Sequence, residues 1–525
     1  MESSFRLIDW VIVGVYLVAM AGVGVYFSRR QNSLERFLRA DRSMGWLPVG
    51  LSLMAALNSG MDYLMQPSAT IKYGFVLVVG ILSWLALYPW VALVAFPFFR
   101  RLNYFTVYEY LEARFDVRVR TLAAGIFLLW RLGWMATAMY VPSLAINAAT
   151  GGQVDLVTMT IVVGVLVTMY TMLGGIQAVI WNDVIQFCIM FGGLGATVAI
   201  VWWSVPGGFG EIFNVAHAAG KMDFWPPLVE PGTTGLVAQV RSFFEQPMTV
   251  VTLLVALIVG RMAQYTSDQV MVQRLQTTRS LKEARHAFIV NAAGDALWML
   301  GLSFVGLALF AYFQHHILPP EFQTDKLLPY FMSVAFPAGA VGLVIAAIMA
   351  ASLSSIDSAI NSCSSVAVVD FYNRVWNGKD VRPGDHSDDR AQVRASRIAT
   401  VVFGSLGTLL ACNVSRIGTL LEINAKVVNA FTGPLFGIFL LAMFSARTRS
   451  EGVLAAGVAG AVAAYYVAYH SVVGFMWPST FGLVATLLVG GLLATVWPAV
   501  AGTKGHELTW AVVMKRPADV DEVIQ

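Results

Sequence analysis

An all-α protein that crosses a membrane many times is the fold class this sequence predicts, and three observations predict it. Of the 525 residues, 57% are hydrophobic and only 12% are charged, with a mean hydropathy of +0.68. Soluble domains run at about 45–50% apolar and about 25% charged. The apolar residues fall in runs long enough for helices across a hydrocarbon core of about 30 Å. Lys and Arg crowd into alternate connections between those runs, as they do on the cytoplasmic side of membrane proteins.

The first apolar run, 8–27, is too long for the core of a signal peptide and ends in Ser28-Arg29-Arg30 without a small-residue cleavage site, so a retained helix is expected. Runs at 46–71, 75–98, 121–148, 156–173 and 181–204 follow, then 247–267, 287–314, 329–367, 396–413, 418–444, 452–470 and 480–500, thirteen predicted transmembrane helices. The connections at 29–42, 100–120, 274–285, 374–397, 447–449 and 504–516 hold 25 Lys and Arg, whereas the connections on the opposite side hold 5, namely Lys72, Lys221, Arg241, Lys326 and Arg416, with Arg6 at the terminus of that side and three cations within the helices. That asymmetry predicts an N-terminus outside and a C-terminus in the cytoplasm. The longest outer connection, 205–246, is rich in Gly and Pro, and with no linker or low-complexity stretch, 1–525 reads as a single domain. Cys188, Cys363 and Cys412 lie inside apolar runs and imply no disulfide framework. The histidines are scattered, which speaks against zinc. The expected partners are the bilayer and small solutes, with no nucleic acid and no obligate protein partner.

Two segments carry chemistry. The run 46–71 is interrupted by Asn58-Ser59-Gly60, with Pro67 beyond. Such breaks at membrane depth are tolerated where the backbone faces protein or a cavity, and broken helices mark transporter binding sites. In 342–372, Ala351, Ser354, Ser355, Ser358 and Ser362 share one helix face. This row supplies oxygen ligands for a hard monovalent cation or a close-packing face for another helix. Asp357 lies in the same run. A carboxylate there costs about 2.5–3.5 kcal/mol on insertion scales, so it needs a partner, a cation or a proton, unless a neighbouring Ser satisfies it as plain structure.

Four stretches carry a resemblance. They are Phe105-Thr106-Val107-Tyr108-Glu109-Tyr110-Leu111-Glu112-Ala113-Arg114-Phe115, Gly174-Gly175-Ile176-Gln177-Ala178-Val179-Ile180-Trp181-Asn182-Asp183 with Gln186, Asp268-Gln269-Val270-Met271-Val272-Gln273-Arg274, and Ser352 through Tyr372. In this order the chain resembles the sodium:solute symporters, the family of sodium/glucose, sodium/proline, sodium/iodide and sodium/sialic acid transporters. The resemblance implies a LeuT-type core of two inverted five-helix repeats, about 46–204 and 247–445, with one extra helix before it (8–27) and two after it (452–500). It also implies sodium-coupled import of a small organic solute by alternating access, in a plasma membrane or bacterial inner membrane, with no enzymatic step.

Residue by residue, the resemblance places the main sodium site at the carbonyls of Ala55, Asn58 and Ala351 and the hydroxyls of Ser354 and Ser355. A second cation site falls on Asp183, Ser354, Asp357 and Ser358, where Asp357 replaces a usual Ser or Thr. Where sugar carriers present amides and an acid, this chain has Arg261, Lys426 and Ile81. Two cations there favour a carboxylate-bearing substrate, with Arg131 a third candidate. Against that stand an intrahelical Glu422–Lys426 pair and neutralisation of Arg261 by Asp62. Tyr63, Tyr265 and Trp84 are candidates to line the substrate's place or simply to pack. The alternatives are a sodium-coupled neutral sugar or amino-acid carrier, and a sensor that keeps the fold without moving solute. A sensor fused to a signalling module is expected to need a long cytoplasmic extension, which is not seen. An intramembrane hydrolase needs a base facing its nucleophile, which Ser358 beside Asp357 does not have.

Overall fold

The computed structural model describes residues 5–28, 33–316, 327–379, 381, 389–414, 420–499 and 504–516, with the side chains of 28, 420–430 and 504 outside the description. The first helix, α1 (Leu7–Ser28), is followed by α2 (Trp46–Leu57) and α3 (Gly60–Tyr73). Next come a 3-10 stretch Gly74–Leu82 and α4 (Ser83–Pro89), which runs on through wide turns to Leu102. The short α5 (Val107–Arg114) leads into α6 (Val117–Ala149) and α7 (Leu156–Ser204). The second half comprises α8 (Val250–Ser267), the short α9 (Gln269–Gln276), α10 (Leu281–Gln314), α11 (Ala340–Val366), α12 (Asp389–Ala411) and α13 (Leu420–Phe444). Two closing helices are α14 (Ser450–His470) and α15 (Pro478–Val496).

Among the described residues ten helices, not thirteen, are long and apolar enough to cross a membrane. The expected segments are helical, but their punctuation differs. Helix α7 joins the segments expected at 156–173 and 181–204. At 1.5 Å per residue its 49 residues would run about 74 Å straight, more than twice a hydrocarbon core. Gly175, at φ 58 and ψ −168, breaks it into two crossings with no loop between them. Only glycine adopts that combination of φ and ψ without strain. The expected 46–71 divides at the expected Asn58-Ser59-Gly60 interruption into α2, too short to cross alone, and α3, which continues into the following span. Hydropathy registers neither event, because both are made by one to three residues.

Helix α11 is the axis of the molecule. Of its most apolar window with the turns that follow it, 89% is buried inside the protein, against at most 56% for any other span. Its hydroxyl row therefore faces other helices and not lipid. Helix α1 fastens the start of α11: Asp9 Oδ1 accepts the N–H groups of Gly339 at 2.9 Å and Gly342 at 2.7 Å. These are donors that a helix N-terminus otherwise leaves unpaired. The approach is tight enough that a Cβ at Gly342 would meet the Asp9 Cα at 2.5 Å.

Candidate functional site

The site begins with a helix that stops in the middle of the protein. Asn58 ends α2 in an extended conformation (φ −100, ψ 138). Ser59 then opens α3, its hydroxyl accepting the Met61 N–H at 3.2 Å while Asp62 accepts the Ser59 N–H at 2.6 Å. The last carbonyls of α2 have no intrahelical donors and carry the negative end of the helix dipole, a ready place for a cation. Close contact with α11 requires glycine at 60, since a Cβ there would lie 2.2 Å from Ser352 Oγ and 2.7 Å from the Ile348 carbonyl.

Across this contact the five residues of the expected main sodium site come together. The Ser354 hydroxyl reaches the Ala55 carbonyl at 2.8 Å and the Ala351 carbonyl at 2.9 Å. The Ser355 hydroxyl reaches the Asn58 carbonyl at 3.1 Å, the Ala351 carbonyl at 3.4 Å and the Ala56 carbonyl at 3.5 Å. All five residues are buried, Asn58 the least so at 7%. The donor set is carbonyl and hydroxyl oxygen without a carboxylate, which fits a hard monovalent cation better than a transition metal.

The residues expected to form a second cation site also meet, together with a cation that sequence reasoning did not place there. Asp183 Oδ2 accepts from Ser52 Oγ at 2.6 Å and from Arg274 at 3.0 Å. Arg274, delivered by α9, also bonds Ser52 at 2.9 Å and the Ser358 hydroxyl. Asp357 accepts from the Tyr170 hydroxyl at 3.1 Å and from Ser358 at 3.3 Å, and no ion pair to it is found among the described residues. Arg274 and Asp357 thus share the Ser358 hydroxyl, while the guanidinium is ion-paired with Asp183. Asp183 Oδ1 and the neighbouring Gln186 Oε1 are buried acceptors without a hydrogen-bond partner among the described residues.

The expected substrate residues divide. Arg261 is linked to the break through Asp295, which also accepts from the Asn58 side chain, and its guanidinium lies 4.2 Å from the centre of the Trp84 ring. It donates to Ser83 Oγ at 2.7 Å and is neutralised not by Asp62, which is occupied as a helix cap, but by Asp295 at 2.7 Å. Arg131 is placed elsewhere: it is buried in an ion pair with Asp268, the cap of α9, over the Trp130 ring. Its charge is therefore already matched. Tyr63 donates to the Met190 carbonyl at 3.2 Å and packs edge-on against Trp298. Tyr265 meets Asn291 through its hydroxyl and packs against Trp84 and Phe288. Lys426 and Glu422 fall on side chains outside the described residues. Sequence reasoning passed over Asp295 although it carries the signal used for Asp357, an acidic residue inside an apolar run. Arg274 was quoted in a motif, but nothing local tells that its side chain turns inward.

Comparison with known proteins gives a consistent picture. The sodium:solute symporter family profile matches residues 37–460. The sodium/sialic acid symporter of Proteus mirabilis is 31% identical over 94% of this chain and 96% of its own. The sodium-dependent multivitamin transporter of Oryctolagus cuniculus is 31% identical over 90% and 72%. Human sodium-coupled monocarboxylate transporter 1 is 30% identical over 87% and 72%. A solved structure of a Na+-coupled sialic acid symporter in a substrate-bound outward-open state superposes with a TM-score of 0.83 at 29% identity, covering 95% of this chain and 100% of that one. The nucleobase-cation symporter Mhp1 shares the fold, with a TM-score of 0.55 at 15% identity over 91% and 99%.

Proposed function

Because the chain belongs to the sodium:solute symporter family, we propose that it imports a small organic carboxylate, driven by sodium bound between the α2–α3 break and α11. The observation that carries this reading is the gathering of the Ala55, Asn58 and Ala351 carbonyls around the Ser354 and Ser355 hydroxyls. A carboxylate substrate is supported by Arg261, linked to that break through Asp295, and by relatives named for sialic acid and monocarboxylates. Lys426 remains part of the proposal as a second cation for the substrate. In the membrane the N-terminus lies outside and the C-terminus inside, following the 25 to 5 partition of basic residues. Each sodium entering through 100 mV supplies about 2.3 kcal/mol, and each tenfold sodium gradient adds about 1.4 kcal/mol.

The reading is tested by uptake into proteoliposomes. Ser354→Ala and Ser355→Ala should each raise the sodium concentration for half-maximal transport by about tenfold, the loss of roughly 1.4 kcal/mol of cation binding, with protein yield unchanged. Unaltered sodium dependence in both would refute the site. Counterflow of labelled sialic acid, lactate, a neutral sugar and an amino acid separates substrate classes. If the sugar is the best substrate and Lys426→Gln leaves its uptake intact, the carboxylate reading fails.

A second coupling ion is favoured by one further observation, the buried Asp357 carboxyl, which has no ion pair among the described residues while Arg274 is taken by Asp183. A sodium ion or a proton at Asp357, supported by Ser354 and Ser358, balances its charge.

A further inference from the structure

Asp295, on α10, ties the proposed substrate residues to the proposed sodium site. Its Oδ2 accepts from Arg261 at 2.7 Å and from the Trp84 indole N–H at 2.7 Å. Its Oδ1 accepts from the Asn58 side-chain amide at 3.1 Å. Asn58 is the residue whose carbonyl the Ser355 hydroxyl approaches. A continuous chain therefore runs Arg261, Asp295, Asn58, Ser355, across α8, α10, the α2–α3 break and α11. Asp295 is 2% exposed and Arg261 7%, so their charges act on one another, and on an ion at Asn58, with little screening by water.

One carboxylate in this position holds a tethered cation and, through the Asn58 side chain, borders the place proposed for one that comes and goes. We propose that Asp295 is a counter-anion shared between Arg261 and the main sodium site, so that bound sodium loosens the Arg261–Asp295 pair and frees the guanidinium for a substrate carboxylate. Without sodium, Arg261 is the charge Asp295 has to itself, and an incoming carboxylate must compete with it. With sodium beside Asn58, part of the Asp295 charge is already balanced. Asp295 is thus a positioning residue for Arg261, and sodium and substrate each favour the other through it. The inference rests on the sodium site proposed above.

The test is equilibrium binding of radiosodium to the purified full-length protein, with no substrate present. If the anion is shared, Asp295→Asn weakens sodium binding by about tenfold, while Arg261→Gln, which removes the competing cation, tightens it by about fivefold; both lie within the usual range of coupling between sites. A residue that only supports the fold weakens binding whichever partner is removed. Asp295→Glu keeps the charge and should stay within about threefold of wild type. Shifts of the same sign, no shift, or no measurable sodium binding by the wild type overturn the proposal, and Arg261→Gln decides the matter even if Asp295→Asn does not fold. Ser355→Ala separates the two readings: if it leaves sodium binding untouched, the site itself falls. If it weakens binding while the Asp295 and Arg261 variants shift together, only the shared counter-anion falls.

Discussion

Asp357 lies one turn beyond Ser354 on α11, buried, held by Tyr170 and Ser358 and by no basic side chain among the described residues. Asp357→Asn keeps the shape and removes the charge, so it should lower the Hill coefficient for sodium or the charge moved per substrate, while the main site still binds one ion. Wild-type stoichiometry and pH dependence in that variant would leave Asp357 a structural residue. Gly60→Ala probes the main site from the other side. Its Cβ would collide with Ser352 and with the Ile348 backbone, forcing α3 off α11, and sodium affinity should fall by an order of magnitude or more in the same uptake assay. At this scale much of the candidate site was legible in the sequence. The serine spacing and the Asn58-Ser59-Gly60 break are local patterns, and the structure brings those residues together. What was not legible is pairing across long separations: Arg261 finds Asp295 on another helix, Arg131 finds Asp268, and Arg274 reaches Asp183. One-dimensional spacing does not say which of several buried charges will meet.

At the scale of elements, the bond between α1 and α11 makes a separable prediction. Asp9→Ala removes the acceptor for two N–H groups at the start of α11, a loss of about 1–2 kcal/mol by analogy with helix caps. A melting temperature lowered by several degrees in detergent should follow. Ser354 lies fifteen residues further along, about 22 Å away, so sodium affinity of the folded fraction should not change. The fold was readable in the sequence as apolar stretches, nearly all of which reappear as helices. The joint at Gly175 was not, because a break made by one glycine leaves the hydropathy of its surroundings intact, whereas the split around Asn58 was announced by Asn58-Ser59-Gly60.

At the scale of the whole molecule, the family and the fold are those of a LeuT-type symporter, and α11 belongs to its most buried span among the described residues. Coupled entry of sodium with a monocarboxylate has a simple electrical signature. One sodium per singly charged carboxylate moves no net charge, and two move one. Inward current in voltage-clamped liposomes or cells, measured together with labelled uptake, therefore counts the ions directly. A current that accompanies uptake in the wild type and vanishes in Asp357→Asn would assign the second ion to that carboxylate. Electroneutral uptake in both would limit the cycle to a single sodium.

The reversal at Gly175 also decides where the chain tolerates foreign sequence. Residues 174 to 176 are buried, and Gly24 of α1 approaches the Tyr170 backbone so closely that a Cβ there would lie 2.9 Å from its carbonyl oxygen. An epitope tag spliced in at this point has no room and should abolish surface expression. Gly232, Thr234 and Gly235 are exposed, and neither glycine has a neighbour within 4 Å of the place a Cβ would take. A tag there should be tolerated, and antibody staining of intact against permeabilised cells would reveal on which side of the membrane that loop stands. Staining that requires permeabilisation would invert the proposed topology.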